Sequence, residues 1–112
     1  MIYFPIANLM EAGIRDILLI ANPNEDKLFY NLLNNGKHLG ISIKYIIQPE
    51  PKGLPQAFIL GEEFIDSQPV CLNLGDHILF GNQLEKILTN ICNNFSKTTL
   101  LITETDTPSD YG

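Results

Sequence analysis

Apolar residues in the first part of the chain follow two patterns, one typical of helices and the other typical of buried strands. Apolar positions at helical spacing end at Gly13, a residue type that commonly follows a helix, so we predict a helix over residues 4–12. The next apolar run, DILLIA at Asp16–Ala21, is almost continuous, which is typical of a parallel strand covered on both faces. The chain is therefore expected to begin with a helix and then a buried strand.

The second helix is predicted from its start signals and its apolar face. Asn22 and Pro23 supply a cap and a first-turn proline, and Glu25 adds an acidic side chain near the helix start. These signals predict a helix over residues 23–34, which Gly36 ends. The residues expected on its buried face are Leu28, Phe29, Leu32 and Leu33.

Helical and strand patterns continue to alternate towards the end of the chain. The further predicted elements are a strand at residues 41–48, a helix from about residue 55 to residue 65 that tolerates Gly61, a strand at residues 70–74, a helix from residue 84 to about residue 93, and a strand at residues 98–103. Such alternation predicts an α/β layered sheet with right-handed crossovers. Ligands bind such sheets beyond the carboxyl ends of the strands, so the loops after strands are the places to look for a site.

Composition and charge narrow the classes of function. The 112 residues are 45% hydrophobic and 18% charged, which is typical of a globular domain or a part of one. A balance of 13 acidic against 7 basic residues gives a net charge of −6 and argues against a nucleic-acid partner. No apolar run approaches the roughly 20 residues of a membrane-spanning helix, and no signal-peptide pattern is seen. We expect a cytoplasmic protein with no membrane partner, and buried free thiols at Cys71 and Cys92.

The loop after the second predicted strand has the composition of a ligand-binding loop. Residues 48–60 read QPEPKGLPQAFIL, in which two prolines stiffen the path and Gly53 permits a close approach or a positive φ. Pro55 suits the start of the following helix. The side-chain amide of Gln48 can pair with the Watson–Crick edge of a pyrimidine, or it can bond the neighbouring backbone. Lys52 can contact a phosphate or can be a solvated turn residue.

A second candidate site follows the predicted strand at residues 70–74. Gly75 and Asp76 come directly after this strand, where a carboxylate can hold Mg²⁺ against a phosphate because a hard cation prefers oxygen ligands. Asp76 can equally be an aspartate that caps a turn, since Gly-Asp pairs are common in turns. His77 could ligate a metal or act as a base, but no second histidine or cysteine is spaced to assist it.

Four stretches in chain order together resemble one family. They are MIYFPIANLMEAGIRDILLI, QPEPKGLPQAF, LNLGDHILFG and the closing TDTPSDYG. The chain resembles the glucose-1-phosphate thymidylyltransferases, which are bacterial sugar nucleotidyltransferases, over residues 1–112. The resemblance implies a Rossmann-like layered sheet of the nucleotide-diphospho-sugar transferase type, of which residues 1–112 form a partial nucleotidyltransferase domain.

The resemblance also assigns roles to individual residues. It implies that Gln48 and the backbone of Gly53 contact the thymine or uracil base, and that Asp76 binds the catalytic Mg²⁺. Tyr111 and Gly112 match the pair that borders the sugar pocket. Two residues depart from the family pattern. Pro55 stands where a small residue is common, and His77, next to the metal position, stands where asparagine is usual.

The family's other motifs are absent from these 112 residues. The glycine-rich GGxGTRLxP loop and the KxLxP segment are expected before Met1, and the second metal-binding aspartate and the EKP segment are expected after Gly112. The chain is therefore expected to be an internal fragment without catalytic residues of its own. In the family, the strand that leads to the glycine-rich loop lies between those matching residues 17–20 and 71–74. Without it, the strands at residues 17–20 and 71–74 are expected either to pair directly or to present unpaired edges. Such unpaired edges predict self-association or aggregation.

The resemblance implies a reaction and leaves an alternative open. In the complete enzyme, dTTP and glucose 1-phosphate give pyrophosphate and dTDP-glucose, a precursor for dTDP-rhamnose and polysaccharide synthesis. An isolated chain without the phosphate-binding loop is expected to be inactive, because phosphoryl transfer depends on positioning and charge neutralisation. The alternative is a non-catalytic module that binds a nucleotide or associates with an intact homologue.

Overall fold

Short helices and two strands alternate in the computed structural model, which describes residues 1–102 and 104–107. The elements are helix α1 (Tyr3–Glu11), strand β1 (Asp16–Ala21), helix α2 (Asp26–Leu33), a 3₁₀ turn (Lys37–Leu39), strand β2 (Ser42–Ile47) and helices α3 (Leu54–Leu60), α4 (Glu62–Ile65) and α5 (Leu84–Asn93). The described part of the chain is mixed α/β, which confirms the predicted fold class.

The two strands form a parallel pair joined by a helical crossover. Asp16 pairs with Ser42 and the register continues to Ala21 and Ile47. Parallel strands cannot be joined by a tight turn, so α2 and the 3₁₀ turn carry the chain back between them. This βαβ unit is where the carboxyl ends of β1 and β2 meet, and it positions the loop that begins at Gln48.

The core lies on one face of this strand pair. Alternate residues of β1 are buried, whereas Leu18 and Ile20 on its opposite face are only half-buried. The buried cluster consists of Ile6, Ile17, Leu19, Ala21, Leu33, Ile41 and Ile43. Helix α1 contributes Ile6 to this cluster, and the α1–β1 pattern therefore folds as predicted.

Helix α2 begins later than its start signals predict. Asn24 has a φ of +74°, which a helix interior does not accept. The backbone N–H of Glu25 instead donates to the Asn22 carbonyl at 3.1 Å in a turn, and the helix begins at Asp26. The start predicted at residue 23 is wrong because this turn comes first.

The predicted buried face of α2 is only partly correct. Leu33 is completely buried and Phe29 packs against the core, but Leu28 and Leu32 are 62% and 51% exposed. Within the described residues, α2 packs mainly against β2, and no second layer covers its outer side. The helical spacing identified the face that contacts the sheet, but it also assigned Leu28 and Leu32 to that face, and both are exposed.

The helix predicted after the loop is interrupted at Gly61. Helix α3 ends at Leu60 and α4 begins at Glu62, so the prediction of one helix is wrong. A Cβ atom on Gly61 would lie 3.1 Å from Cδ2 of Leu18 and 3.1 Å from the Ala57 carbonyl oxygen. Glycine therefore permits the two short helices to approach the half-buried face of β1, which carries Leu18, closely.

Two predicted strands do not form. Residues 70–74 have no strand structure, and neither do residues 98–102, while Thr103 lies outside the described residues. A strand needs a neighbouring strand to pair its backbone N–H and C=O groups, and within the described residues β1 pairs only with β2. Cys71 and Cys92 are free, as expected, but both are exposed, so the prediction that they are buried is wrong.

An apolar groove follows the edge of β1 that β2 does not occupy. The groove has a volume of about 300 Å³ and includes five consecutive residues of β1, from Asp16 to Ile20. Because consecutive strand residues point to opposite faces, a groove lined by all of them runs along the strand edge. Its other wall includes residues 69–73. No helix among residues 1–102 and 104–107 has the length and apolar character needed to cross a membrane.

Candidate functional site

The loop after β2 starts directly from the parallel ladder. The backbone N–H of Gln48 donates to the Ala21 carbonyl at 2.8 Å, so Gln48 is held at the carboxyl ends of both strands. Its side chain is half-buried. This is the edge of a parallel sheet at which ligands bind, and the structure places Gln48 where the sequence predicts.

A polar network closes this loop onto the first turn of α3. The Gln48 side chain donates from Nε2 to Oε1 of Gln56 at 2.6 Å. The backbone N–H of Lys52 donates to the same Gln56 oxygen at 3.1 Å, and it also lies 2.9 Å from the Glu50 carbonyl oxygen. Gln56 thereby joins the start, the middle and the end of the loop.

Gln56 is a residue that the sequence motifs do not single out. It is the one polar side chain in the helical segment LPQAFIL, and that isolation in an apolar helix is the signal by which it could be found. It lies three residues after Gly53 in the first turn of α3, whose N-cap is Gly53. A glutamine there can bond backward into the preceding loop instead of along the helix.

Gly53 takes a backbone conformation with a positive φ, which the loop sequence permits at this glycine. Its φ of +85° and ψ of 175° are disfavoured for residues that carry a Cβ atom. Its carbonyl accepts a hydrogen bond from the Gln56 N–H at 3.2 Å, and within the described residues no acceptor contacts its own N–H. Gly53 is exposed, so it lies at the surface of the loop.

Lys52 pairs with a carboxylate of its own loop. Its Nζ atom lies 3.0 Å from Oε2 of Glu50, and both side chains are largely exposed. An exposed pair of this kind contributes about 0–1 kcal/mol, so it does not fix the ammonium group. The Lys52 ammonium group therefore remains accessible to solvent.

Asp76 occupies a turn beside the N-terminal end of α1. The backbone N–H of His77 donates to the Leu74 carbonyl at 3.2 Å, and a Cβ atom on Gly75 would lie 3.7 Å from Cδ1 of Ile2. Asp76 is exposed, and no described donor contacts its carboxylate. No hydrogen bond or ion pair among residues 1–102 and 104–107 joins it to the loop at Gln48.

The donor set at Asp76 fits one particular kind of metal site. The described ranges contain no group of three or more His, Cys, Asp or Glu side chains placed so that together they could hold a metal ion. Magnesium is commonly held by one or two carboxylates together with substrate phosphates and water, and a free, exposed carboxylate suits that mode. Asp76 therefore fits as one ligand of an Mg²⁺ ion that a phosphorylated substrate would help to hold. Tyr111 and Gly112, the predicted border of the sugar pocket, lie outside the described residues.

Comparisons with known proteins agree with the family predicted from the sequence. A family model described as nucleotidyl transferase matches residues 1–112. A glucose-1-phosphate thymidylyltransferase from Neisseria meningitidis is 45% identical over 112 residues, which are 100% of this chain and 39% of that relative.

Further relatives match a shorter stretch at similar identity. Glucose-1-phosphate thymidylyltransferases from Neisseria gonorrhoeae and Mycobacterium tuberculosis are 51% and 49% identical over 79% and 72% of this chain. These matches cover 31% and 28% of those two relatives. The chain therefore spans well under half the length of the curated relatives that it matches.

Proposed function

Because the chain belongs to the nucleotidyl transferase family, we propose that it forms the base-recognition part of a glucose-1-phosphate thymidylyltransferase. The observation that carries the proposal is the match to such an enzyme, which covers all 112 residues of the chain at 45% identity. The local geometry supports it, since Gln48 and Gly53 present polar groups in one loop at the carboxyl ends of two parallel strands.

The proposed reaction transfers a nucleotidyl group from dTTP. An oxygen of the phosphate of glucose 1-phosphate attacks the α-phosphorus, the bond from that phosphorus to the bridging oxygen breaks, and pyrophosphate leaves. Gln48 and Gly53 hold the base and thereby fix the position of the α-phosphorus. Positioning of this kind is a major part of catalysis in phosphoryl transfer. A reaction that consumes dTTP also fits the cytoplasmic location that the sequence predicts.

We propose Mg²⁺ as the cofactor, with Asp76 as one of its ligands. When bound, the metal neutralises charge on the phosphate oxygens. Asp76 contributes a free carboxylate from an exposed turn, and its neighbour Gly75 lies close to Ile2 at the N-terminal end of α1. Tyr111 and Gly112 are proposed to border the sugar pocket.

A polypeptide of these 112 residues is expected to be inactive. It contains no match to the family's GGxGTRLxP loop or KxLxP segment, so it offers no phosphate cradle. If removal of one oriented donor costs about 10²- to 10³-fold in rate, the lack of the whole cradle should abolish useful turnover. Formation of dTDP-glucose by this polypeptide would contradict the expectation.

Calorimetric titration with dTTP and Mg²⁺ tests the proposed base recognition. The original chain is expected to bind, and Gln48→Ala is expected to bind at least roughly tenfold more weakly because it loses a polar contact to the base. Absence of binding by the original chain rejects nucleotide recognition by these residues. Unchanged binding by Gln48→Ala rejects the role of Gln48 alone.

A further inference from the structure

The loop network fixes the direction of the Gln48 side-chain amide. A backbone N–H can only donate, so the Gln56 atom 3.1 Å from the Lys52 N–H must be an acceptor oxygen. Gln48 contacts that same oxygen at 2.6 Å and must therefore turn its NH₂ group towards it. With Nε2 directed at Gln56, the Oε1 atom of Gln48 faces away from the network.

The remaining polar groups of the loop form a defined pattern. Within the described residues, no donor contacts Oε1 of Gln48 and no acceptor contacts the N–H of Gly53. Gln48 and Gly53 therefore offer a ligand one fixed acceptor and one backbone donor. A rotated Gln48 amide would offer a donor in place of the acceptor, and the pattern would change.

We propose that Gln56 is a positioning residue that selects the base by holding Gln48 with its carbonyl oxygen towards the ligand. This inference rests on the proposed function, because it assumes that the loop binds a pyrimidine. Thymine and uracil carry a hydrogen at ring nitrogen N3, which the Gln48 oxygen can accept. Cytosine carries a lone pair there, which the same oxygen repels. The site should take an imide base in preference to cytosine.

The location of Gln56 suits this role. It is half-buried in the first turn of α3, and the exposed Gly53 and Lys52 precede it in the loop. Partial burial strengthens its hydrogen bonds relative to those of an exposed side chain. Gln56 itself needs no contact with the base, since it acts through the orientation of Gln48.

Gln56→Glu and Gln56→Met, which are nearly equal in size to the original side chain, separate the hydrogen bonds of Gln56 from its packing. Gln56→Glu keeps acceptor oxygens for both Gln48 and the Lys52 N–H, and an acidic side chain is favourable in the first turn of a helix. Gln56→Met keeps the length and the apolar stem but has no acceptor of comparable strength. Gln56→Asn keeps the amide on a stem about 1.5 Å shorter, so it tests the distance without a change of chemistry.

The experiment combines nuclear magnetic resonance of the ligand-free chain with titrations of dTTP and dCTP in the presence of Mg²⁺. The Gln48 side-chain NH₂ signal is expected at a shifted position in the original chain and in Gln56→Glu, and at the position of a free glutamine in Gln56→Met. The original chain and Gln56→Glu should prefer dTTP by roughly tenfold, and Gln56→Met and Gln56→Asn should lose most of that preference.

The outcomes separate this inference from the proposed function. If Gln56→Met keeps both the shifted Gln48 signal and the preference for dTTP, the positioning role is rejected while nucleotide recognition stands. If the original chain binds neither nucleotide, the proposed function fails and the base selection fails with it. Loss of preference in Gln56→Met with retention in Gln56→Glu supports the inference, because a purely structural role would not depend on an acceptor atom.

Discussion

A Cβ atom on Gly36 would lie 2.8 Å from Cγ1 of Ile41, closer than real Cβ contacts in proteins. A Cβ atom there would also lie 2.9 Å from Cγ1 of Ile43, and Gly36 has a φ of +79°. The turn that follows α2 is thus packed directly onto Ile41 and Ile43, at the start of β2. Glycine is required at this position for its conformation and for its lack of a side chain.

Gly36→Ala is expected to destabilise the chain by about 2–4 kcal/mol, because it adds strain at a positive φ to a clash with two core side chains. The matched control is Gly40→Ala, where φ is +75° but no atom lies within 4 Å of the added Cβ. It should cost only about 1–2 kcal/mol. Urea unfolding of both variants measures the difference, and equal losses would show that the clash relaxes freely.

Leu33→Ala tests the centre of the core. Leu33 has no exposed surface and lies in the buried cluster with Ile43, so its truncation should cost about 2–5 kcal/mol. Leu32→Ala removes the same atoms from the neighbouring residue, which is 51% exposed, and should change stability by no more than about 0.5 kcal/mol. A similar loss in both variants, measured by urea unfolding, would contradict the observed orientation of α2.

The contrast between these leucines shows what the sequence can predict about the fold. Apolar spacing identified α1, β1, β2 and α5 with nearly correct bounds, because each pattern is local. Which of Leu28, Leu32 and Leu33 is buried depends on how much of α2 a neighbour covers, and that is a tertiary property. Residues 70–74 show the same limit, since a strand-like sequence forms a strand only beside a partner.

The candidate site shows a similar division. Gln48, Gly53 and Asp76 could be named from their motifs, because loop chemistry and the family resemblance both depend on sequence alone. Gln56 could not be assigned a role from the sequence, since its contact with Gln48 depends on how the loop turns back on α3. The second hydrogen bond, from Lys52, is likewise a product of loop conformation.

Asp76→Asn tests the proposed metal ligand. The substitution removes the negative charge with almost no change in size, so the increase in dTTP affinity that Mg²⁺ provides should fall by roughly tenfold. Asp66→Asn is the matched control, because Asp66 is also an exposed aspartate but ends α4 instead of following residues 70–74. Calorimetric titrations with and without Mg²⁺ measure the effect. Equal Mg²⁺ dependence in the original chain and Asp76→Asn would reject the assignment.

Tyr45 links stability to alkaline pH. Its hydroxyl donates to the Asn34 carbonyl at 2.6 Å, and burial, with a smaller effect of the nearby Tyr30, raises the pKa of Tyr45 above its ordinary value. The folded state therefore favours the neutral phenol. Its contribution is fully present below the unfolded-state pKa of about 10 and is lost as pH rises through the higher folded-state pKa.

Tyr45→Phe should accordingly cost about 1 kcal/mol at neutral pH and should weaken the loss of stability above pH of about 10. Tyr3→Phe provides the control, because Tyr3 is exposed and its hydroxyl has no hydrogen-bond partner among the described residues. Thermal unfolding followed across pH 7–11 measures both effects. An alkaline profile of Tyr45→Phe that is identical to that of the original chain would contradict the role of this phenol.

The groove along the free edge of β1 predicts self-association of a polypeptide of these 112 residues. An apolar strand edge that no described strand pairs offers backbone groups to another chain, and half-buried Leu18 lines the groove beside it. Sedimentation at about 100 μM should therefore show species larger than a monomer. Leu18→Lys places a charge in the groove and should shift the distribution towards monomer, whereas Leu32→Lys, on the exposed side of α2, should not. A monomeric original chain with a cooperative melt at high temperature would show that this edge does not drive association.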